Sequence, residues 1–185
     1  MEFTPLYIRS GYSFLKSGLT IDRIFSKLLK EGYSSAALCD YKVLFGIPSF
    51  VNQGKKDNIH TIIGLECVLV VNSHHFNICL YASNENGYRN LIKISSMISR
   101  TDTLDVNYLK EHCDGLICVM TSSQGSFKEI IDNKSQESLT LLSKISSLFS
   151  YFYLGLEVYS LEDNEYATMV RGFAFNYGYK VVAFP

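Results

Sequence analysis

Neither sign of charge predominates in this 185-residue chain, which sets 17 Lys and Arg against 18 Asp and Glu. Without a broad positive field there is little counterion release to gain from a phosphate backbone, so these residues alone are not expected to bind nucleic acid. No run reaches the roughly 18 apolar residues of a membrane span. Met1 to Pro5 lacks the basic and apolar make-up of a secretory signal. A soluble, cytoplasmic chain is expected. The five cysteines, Cys39, Cys67, Cys79, Cys113 and Cys118, form no C-x-x-C pair, and most sit in apolar runs. They read as buried thiols in a reducing compartment rather than as a disulfide framework or a thiolate metal site. The patterns G-x-S-x-G, Walker A, G-x-G-x-x-G and H-E-x-x-H are all missing, which leaves acyl transfer, nucleotide hydrolysis, dinucleotide chemistry and zincin chemistry unsupported. There is also no low-complexity tract or periodic repeat to suggest a linker or an array.

What is present is apolar. Hydrophobic residues make up 47% of the chain and aromatics 14%, enough for one sizeable core. The Tyr and Phe residues are scattered along the predicted elements as core residues would be, without interleaving basic residues in a base-stacking platform. Pro5 to Arg9 reads as a strand and the stretch from Ser10 to Gly18 as turns. A helical stripe follows, from Thr20 as N-cap through Ile24, Phe25 and Leu28 to a stop at Gly32. Further strands are predicted at Ala36 to Cys39, on both sides of Gly64, and at Phe76 to Ala82, Leu116 to Met120, Tyr151 to Val158 and Lys180 to Phe184. Helices are predicted over Leu44 to Lys56, Glu85 to Ile98, Leu139 to Leu148 and Asn164 to Tyr177. Continuously apolar strands alternating with helices imply parallel pairing in an α/β barrel or doubly wound sheet, with the functional edge at the strand C-termini. Thr101 to Cys113 and Asn72 to His75 show no clean period. Because the chain ends directly after a strand, a fragment of a longer protein is expected.

A metal hydrolase of this layout needs several His, Asp or Glu side chains at strand ends. His60 and His112 are isolated, and His74 and His75 are neighbours in a predicted hairpin, where adjacent side chains point opposite ways. Asp40 and Glu66 lie at the ends of buried strands, where an unpaired carboxylate is costly. Arg9 ends the first strand on the same edge, so an ion pair is expected to compensate one of them.

The stretches "SGYSFLKSGLTIDRIFSKLLKEGY", "ALCDYKVLFGIPSF", "IIGLECVLV" and "LYASNENGYRNLIKISS", followed by "GLICVM" and "FYLGLEVY", resemble in order the PHP (polymerase and histidinol phosphatase) domain that opens the alpha subunit of bacterial DNA polymerase III. Nearly the whole chain is covered. The resemblance implies a distorted (β/α)7 TIM-like barrel, here stopping before its last elements, as a domain spanning residues 1–185. It also implies a cluster of metal ligands, most of which are replaced. The opening H-x-H of the family falls on Tyr7 and Arg9. The histidine after the family's aspartate falls on Tyr41, with Asp40 kept, and the family glutamate is Glu66. A strand-opening histidine becomes Asn77 and a cysteine falls on Ser122.

A guanidinium adds fixed positive charge where cations would sit, so no metal, cofactor or catalytic residue is expected in these residues. The implied role is structural: the domain supports the rest of the polymerase alpha subunit and offers a dock for a proofreading exonuclease subunit. DNA would be met only through the parent polymerase, whose magnesium-dependent nucleotidyl transfer lies outside these residues. The alternatives are an active phosphoesterase with metals on a rearranged set of Glu66, Asp40, Asn77 and His75, and a stand-alone PHP-like phosphatase. The G-Y-x-N-L segment at Gly87 to Leu91 speaks for the polymerase type.

Overall fold

Helix α1 (Ile21–Lys30) starts where the Thr20 side chain accepts a hydrogen bond from the Arg23 amide, and it buries Ile24, Phe25 and Leu28. Strand β1 (Ser35–Tyr41) follows. Helix α2 (Ile47–Asp57) carries Pro48 in its first turn and ends at Asn58 in a left-handed conformation. Phe25 and Phe50 meet with ring centroids 5.1 Å apart and bind the two helices to each other. The structure is a computed structural model. It describes residues 3–133, 135–158, 160 and 163–183, and the side chains of all of these except 122–124 and 133.

The remaining elements are β2 (His60–Val71), β3 (His74–Ala82), α3 (Glu85–Thr101), β4 (Leu104–Asp105), α4 (Val106–Glu111), β5 (Leu116–Gly125), α5 (Ser126–Asn133), α6 (Gln136–Ser146), β6 (Tyr151–Leu156), α7 (Asp163–Tyr177) and β7 (Lys180–Ala183). The sheet runs β1-β2-β3-β5-β6-β7, with β4 paired to β2. The N-terminal segment extends it beyond β1 through a bridge between Ile8 and Leu38 and through the bonds Ala37 N to Pro5 O and Cys39 N to Ile8 O.

The expectation of parallel pairing is corrected around β3, where the predicted hairpin at Asn72 to His75 forms. β1–β2, β5–β6 and β6–β7 are parallel, but β2–β3 and β3–β5 are antiparallel. The reason is local: Asn72 and Ser73 both adopt positive φ, the turn of a two-residue hairpin, and a link that short permits only antiparallel neighbours. The strands remain apolar throughout because both faces are covered. The outer face carries the larger core, including Leu65, Leu80, Leu91, Ile94, Phe127 and Leu142, under the helices. The concave face carries a smaller one of Ala37, Cys39, Cys79, Tyr81 and Val119, with Tyr7 and Tyr153 at its margin. The curled mixed sheet with helices outside is an α/β architecture of the distorted, TIM-like kind. Among the described residues, no helix is long and apolar enough to cross a membrane.

Candidate functional site

Strand alternation decides which side chains can meet at the C-terminal edge of β1 and β2. Tyr41 is the register partner of Glu66 and Asp40 that of Leu65, so Tyr41 and Glu66 face the concave side while Asp40 faces the outer layer. In the preceding segment Ile8 joins the outer core and Tyr7 the concave one, which places Arg9 over the concave face as well.

There the Arg9 guanidinium grips Glu66 with two bonds: Nε donates to Oε2 at 2.6 Å and Nη2 to Oε1 at 2.7 Å. Nη2 also reaches the Tyr7 hydroxyl, and the guanidinium carbon sits 4.6 Å from the centroid of the Tyr7 ring. The Glu66 side chain is only 7% exposed and that of Arg9 26%. Burial pushes the Glu66 carboxyl up. Arg9 and, more weakly, Lys16 pull it down, and Glu157 pushes it up again, leaving it above the usual carboxylate value. Tyr41 lies between two ammonium groups, Lys16 at 4.2 Å and Lys42 at 4.9 Å from its ring centroid. Lys42 is in turn paired with Asp102 at 2.5 Å.

Asp40 belongs to a different cluster. Its fully buried carboxylate accepts from the Ser10 amide at 2.7 Å, the Ser10 hydroxyl at 2.7 Å and the Ser13 hydroxyl at 2.6 Å. The Tyr41 amide donates to the Ser13 oxygen at 2.9 Å. Asp40 is therefore a buried anchor for the loop after the first segment, and of the two acids Glu66 alone receives Arg9.

Asn77 lies at a bulge of β3, where the register shifts between Phe76 and Ile78, and its carbonyl accepts from Thr121 at 3.2 Å. The Ser122 side chain lies outside the described residues. His75 pairs with Val70, four residues beyond Glu66 along β2, roughly 13 Å at the usual strand rise. Asp40 and His75 thus do not join Glu66, while Asn77, opposite Val68, is its diagonal neighbour across the β2–β3 pair. Among the described residues, no three His, Cys, Asp or Glu lie together so as to hold a metal ion. Both oxygens of Glu66 are occupied by one guanidinium, so this donor set does not fit the metal cluster that the family implies.

Sequence reading missed three participants. Ser10 and Ser13 are ordinary turn residues until Asp40 is seen beneath them. Glu157 is a second buried acid near Glu66, and only its position just after an apolar strand could have flagged it.

The model of the PHP domain family matches residues 5–160. The DNA polymerase III subunit alpha of Staphylococcus epidermidis is 32% identical over 129 residues, covering 69% of this chain and 12% of that protein. The same subunit of Borreliella burgdorferi is 29% identical over 182 residues, covering 89% of this chain and 16% of that protein. The chain thus spans less than a fifth of the length of these relatives. Among solved structures, a protein described as a metal-dependent phosphoesterase from Bifidobacterium adolescentis superposes with a TM-score of 0.66 at 9% identity, over 99% of this chain and 86% of that one. An amidohydrolase from Chromobacterium violaceum, with bound sulfate and no metal, gives a TM-score of 0.63 at 11% identity, over 98% and 86%. The likeness to both is one of fold. With more than four-fifths of its residues inside the family match and DNA polymerase III alpha subunits as its sequence relatives, the chain belongs to the PHP domain family.

Proposed function

We propose that this chain is the PHP domain of a bacterial replicative DNA polymerase of the DNA polymerase III alpha type, and that it serves as a non-catalytic structural domain in the cytoplasm. Its metal site has been exchanged for an ion pair. The observation that carries this reading is the two-bond grip of Arg9 on Glu66: a fixed cation neutralises the glutamate on the concave face and takes both oxygens a metal would need. In this reading the domain holds its strand ends together without an ion. It supports the remainder of the polymerase alpha chain and offers a surface to a proofreading exonuclease subunit. Primer extension, with its magnesium, belongs to parts of the parent outside these residues.

The test is metal content by mass spectrometry on protein purified without chelators or a histidine tag, with Arg9→His run alongside. Metal near zero in the unsubstituted protein is expected. Stoichiometric zinc or manganese would overturn the reading and favour phosphoesterase chemistry.

A further inference from the structure

The loop above the ion pair presents apolar side chains outward. Phe14 is 83% exposed, Leu15 90% and Phe45 72%. The three lie on two neighbouring loops, joined where the Tyr12 and Phe45 rings approach edge to face at 6.5 Å. Beside them opens a groove of about 280 Å³ lined by Ser10, Gly11, Tyr12, Leu19, Thr20 and Ile21. Contiguous exposed apolar side chains rimmed by charge are the usual mark of a protein contact.

The backbone beneath is held firmly. Ser10 and Ser13 are fastened to Asp40, Ser17 donates to the Arg9 carbonyl at 2.8 Å, and the Gly11 amide donates to the Leu19 carbonyl at 2.7 Å. Leu15 itself sits at φ 58, an uncommon conformation for a branched residue, and its side chain points to solvent. A preorganised loop loses little freedom when it binds, which is what a docking loop needs.

Charge selects the occupant. Residues 9–56 contain eight Lys and Arg against three Asp and Glu, while the rest of the chain contains nine against fifteen. Arg9 and Lys42 are committed to Glu66 and Asp102, and Asp40 is buried. Arg23, Lys27 and Lys30 remain exposed along α1, and Lys16, though it stacks on Tyr41, is exposed beside the apolar loop, with only Asp22 and Glu31 opposing them nearby in sequence. We propose that this surface docks a short acidic segment of a partner polypeptide, anchored by bulky apolar side chains against Leu15, Phe45 and the groove. A single DNA strand could stack bases on Phe14 and Phe45, but the aliphatic Leu15 and Leu19 between and beside them suit an apolar peptide side chain better, so a strand is an outcome of the test.

The inference goes beyond the structural role proposed above and does not depend on metal content, so either can fail alone. The test is selection of short random displayed peptides on the 185-residue chain. Binding of the enriched peptides is then measured by fluorescence anisotropy against the unsubstituted protein, a Leu15→Asp/Phe45→Asp variant and Lys16→Glu. All three substituted side chains are exposed, and an unchanged thermal midpoint controls for folding. The expected result is enrichment of peptides that combine Asp or Glu with Leu or Phe. Their binding should weaken about tenfold or more in the double variant, and should weaken with salt and with Lys16→Glu. No enrichment, enrichment without acidic bias, or equal binding by the double variant overturns it. So does tight binding of oligothymidylate at this surface without peptide enrichment, or self-association of the chain that the double variant abolishes.

Discussion

Arg9 meets both carboxylate oxygens of Glu66 across 57 residues of sequence, and yet burial still leaves that carboxyl above its usual value. The pair therefore compensates a cost more than it adds stability. Removing one partner of a buried pair strands the other, whereas replacing both with apolar groups of similar volume is often neutral or better. Arg9→Met is expected to destabilise the domain by about 2–3 kcal/mol near neutral pH, below the loss seen for fully buried pairs because Arg9 is partly exposed. Arg9→Met/Glu66→Leu should recover most of that loss. Urea titration of the unsubstituted protein, Arg9→Met, Glu66→Leu and Arg9→Met/Glu66→Leu in a double-mutant cycle decides; a double variant that recovers no stability over Arg9→Met would show that the pair is a net source of stability.

The same pair sets a pH dependence. A carboxyl whose folded value is raised favours the fold below its unfolded value and withdraws that support as pH rises through the folded value. In Arg9→Met the largest influence holding Glu66 down is gone, so the Glu66 value rises further. The deficit of the variant should therefore be greatest at pH 7–8 and shrink as pH falls toward the ordinary carboxylate range near about 4.5. Denaturant midpoints measured for both proteins at several pH values would show it. A deficit that grows on acidification would mean that Glu66 gains nothing by protonation when Arg9 is lost.

Asp40 is predicted to matter for a different reason. Its carboxylate satisfies three donors at zero exposure. Asp40→Ala should cost roughly 2–4 kcal/mol by leaving them unmet, and Ser13→Ala about 1–2 kcal/mol. Because these bonds hold the loop at residues 10–17, both variants should also be cleaved faster there by protease, while residues on β5 and β6 stay protected. Unchanged loop proteolysis in Asp40→Ala would show that the loop is held by something else.

Most elements were legible because their signals are local. The apolar stripe of α1 between Thr20 and Gly32, the capped α3, and the strands at β1, β3 and β5 all follow from periodicity and caps. The strand on both sides of Gly64 is one twelve-residue β2, because a glycine in a strand need not end it. β4, α4 and α5 were not foreseen: β4 is two residues long and α4 six, too short to show a period. Strand direction was misjudged because apolar composition reports burial on both faces, which parallel and antiparallel strands share when both faces are covered. At the site, the Arg9 to Glu66 pairing was readable from charge and strand-end placement. The separation of Asp40 from Glu66 was not, since it depends on the register that sets Tyr41, rather than Asp40, beside Glu66.

The thiols offer a check on whether the concave face stays closed in solution. Cys39, Cys67, Cys79 and Cys118 are buried and Cys113 is partly exposed. Burial pushes the thiols of Cys67, Cys79 and Cys118 well up, and that of Cys113 up by less, so thiolate is scarce at neutral pH. Since the thiolate is the reactive form, an aromatic disulfide reagent should label at most Cys113 in the native protein, slowly and faster with rising pH. In denaturant all five cysteines should react. Cys39 and Cys79 line the concave core behind Tyr7 and Tyr81, whereas Cys67 and Cys118 lie in the core under the helices. Rapid native labelling of Cys39 and Cys79, with Cys67 and Cys118 still protected, would locate an opening of the concave side alone. It would also mean that the Arg9 to Glu66 pair does not by itself hold the strand ends together.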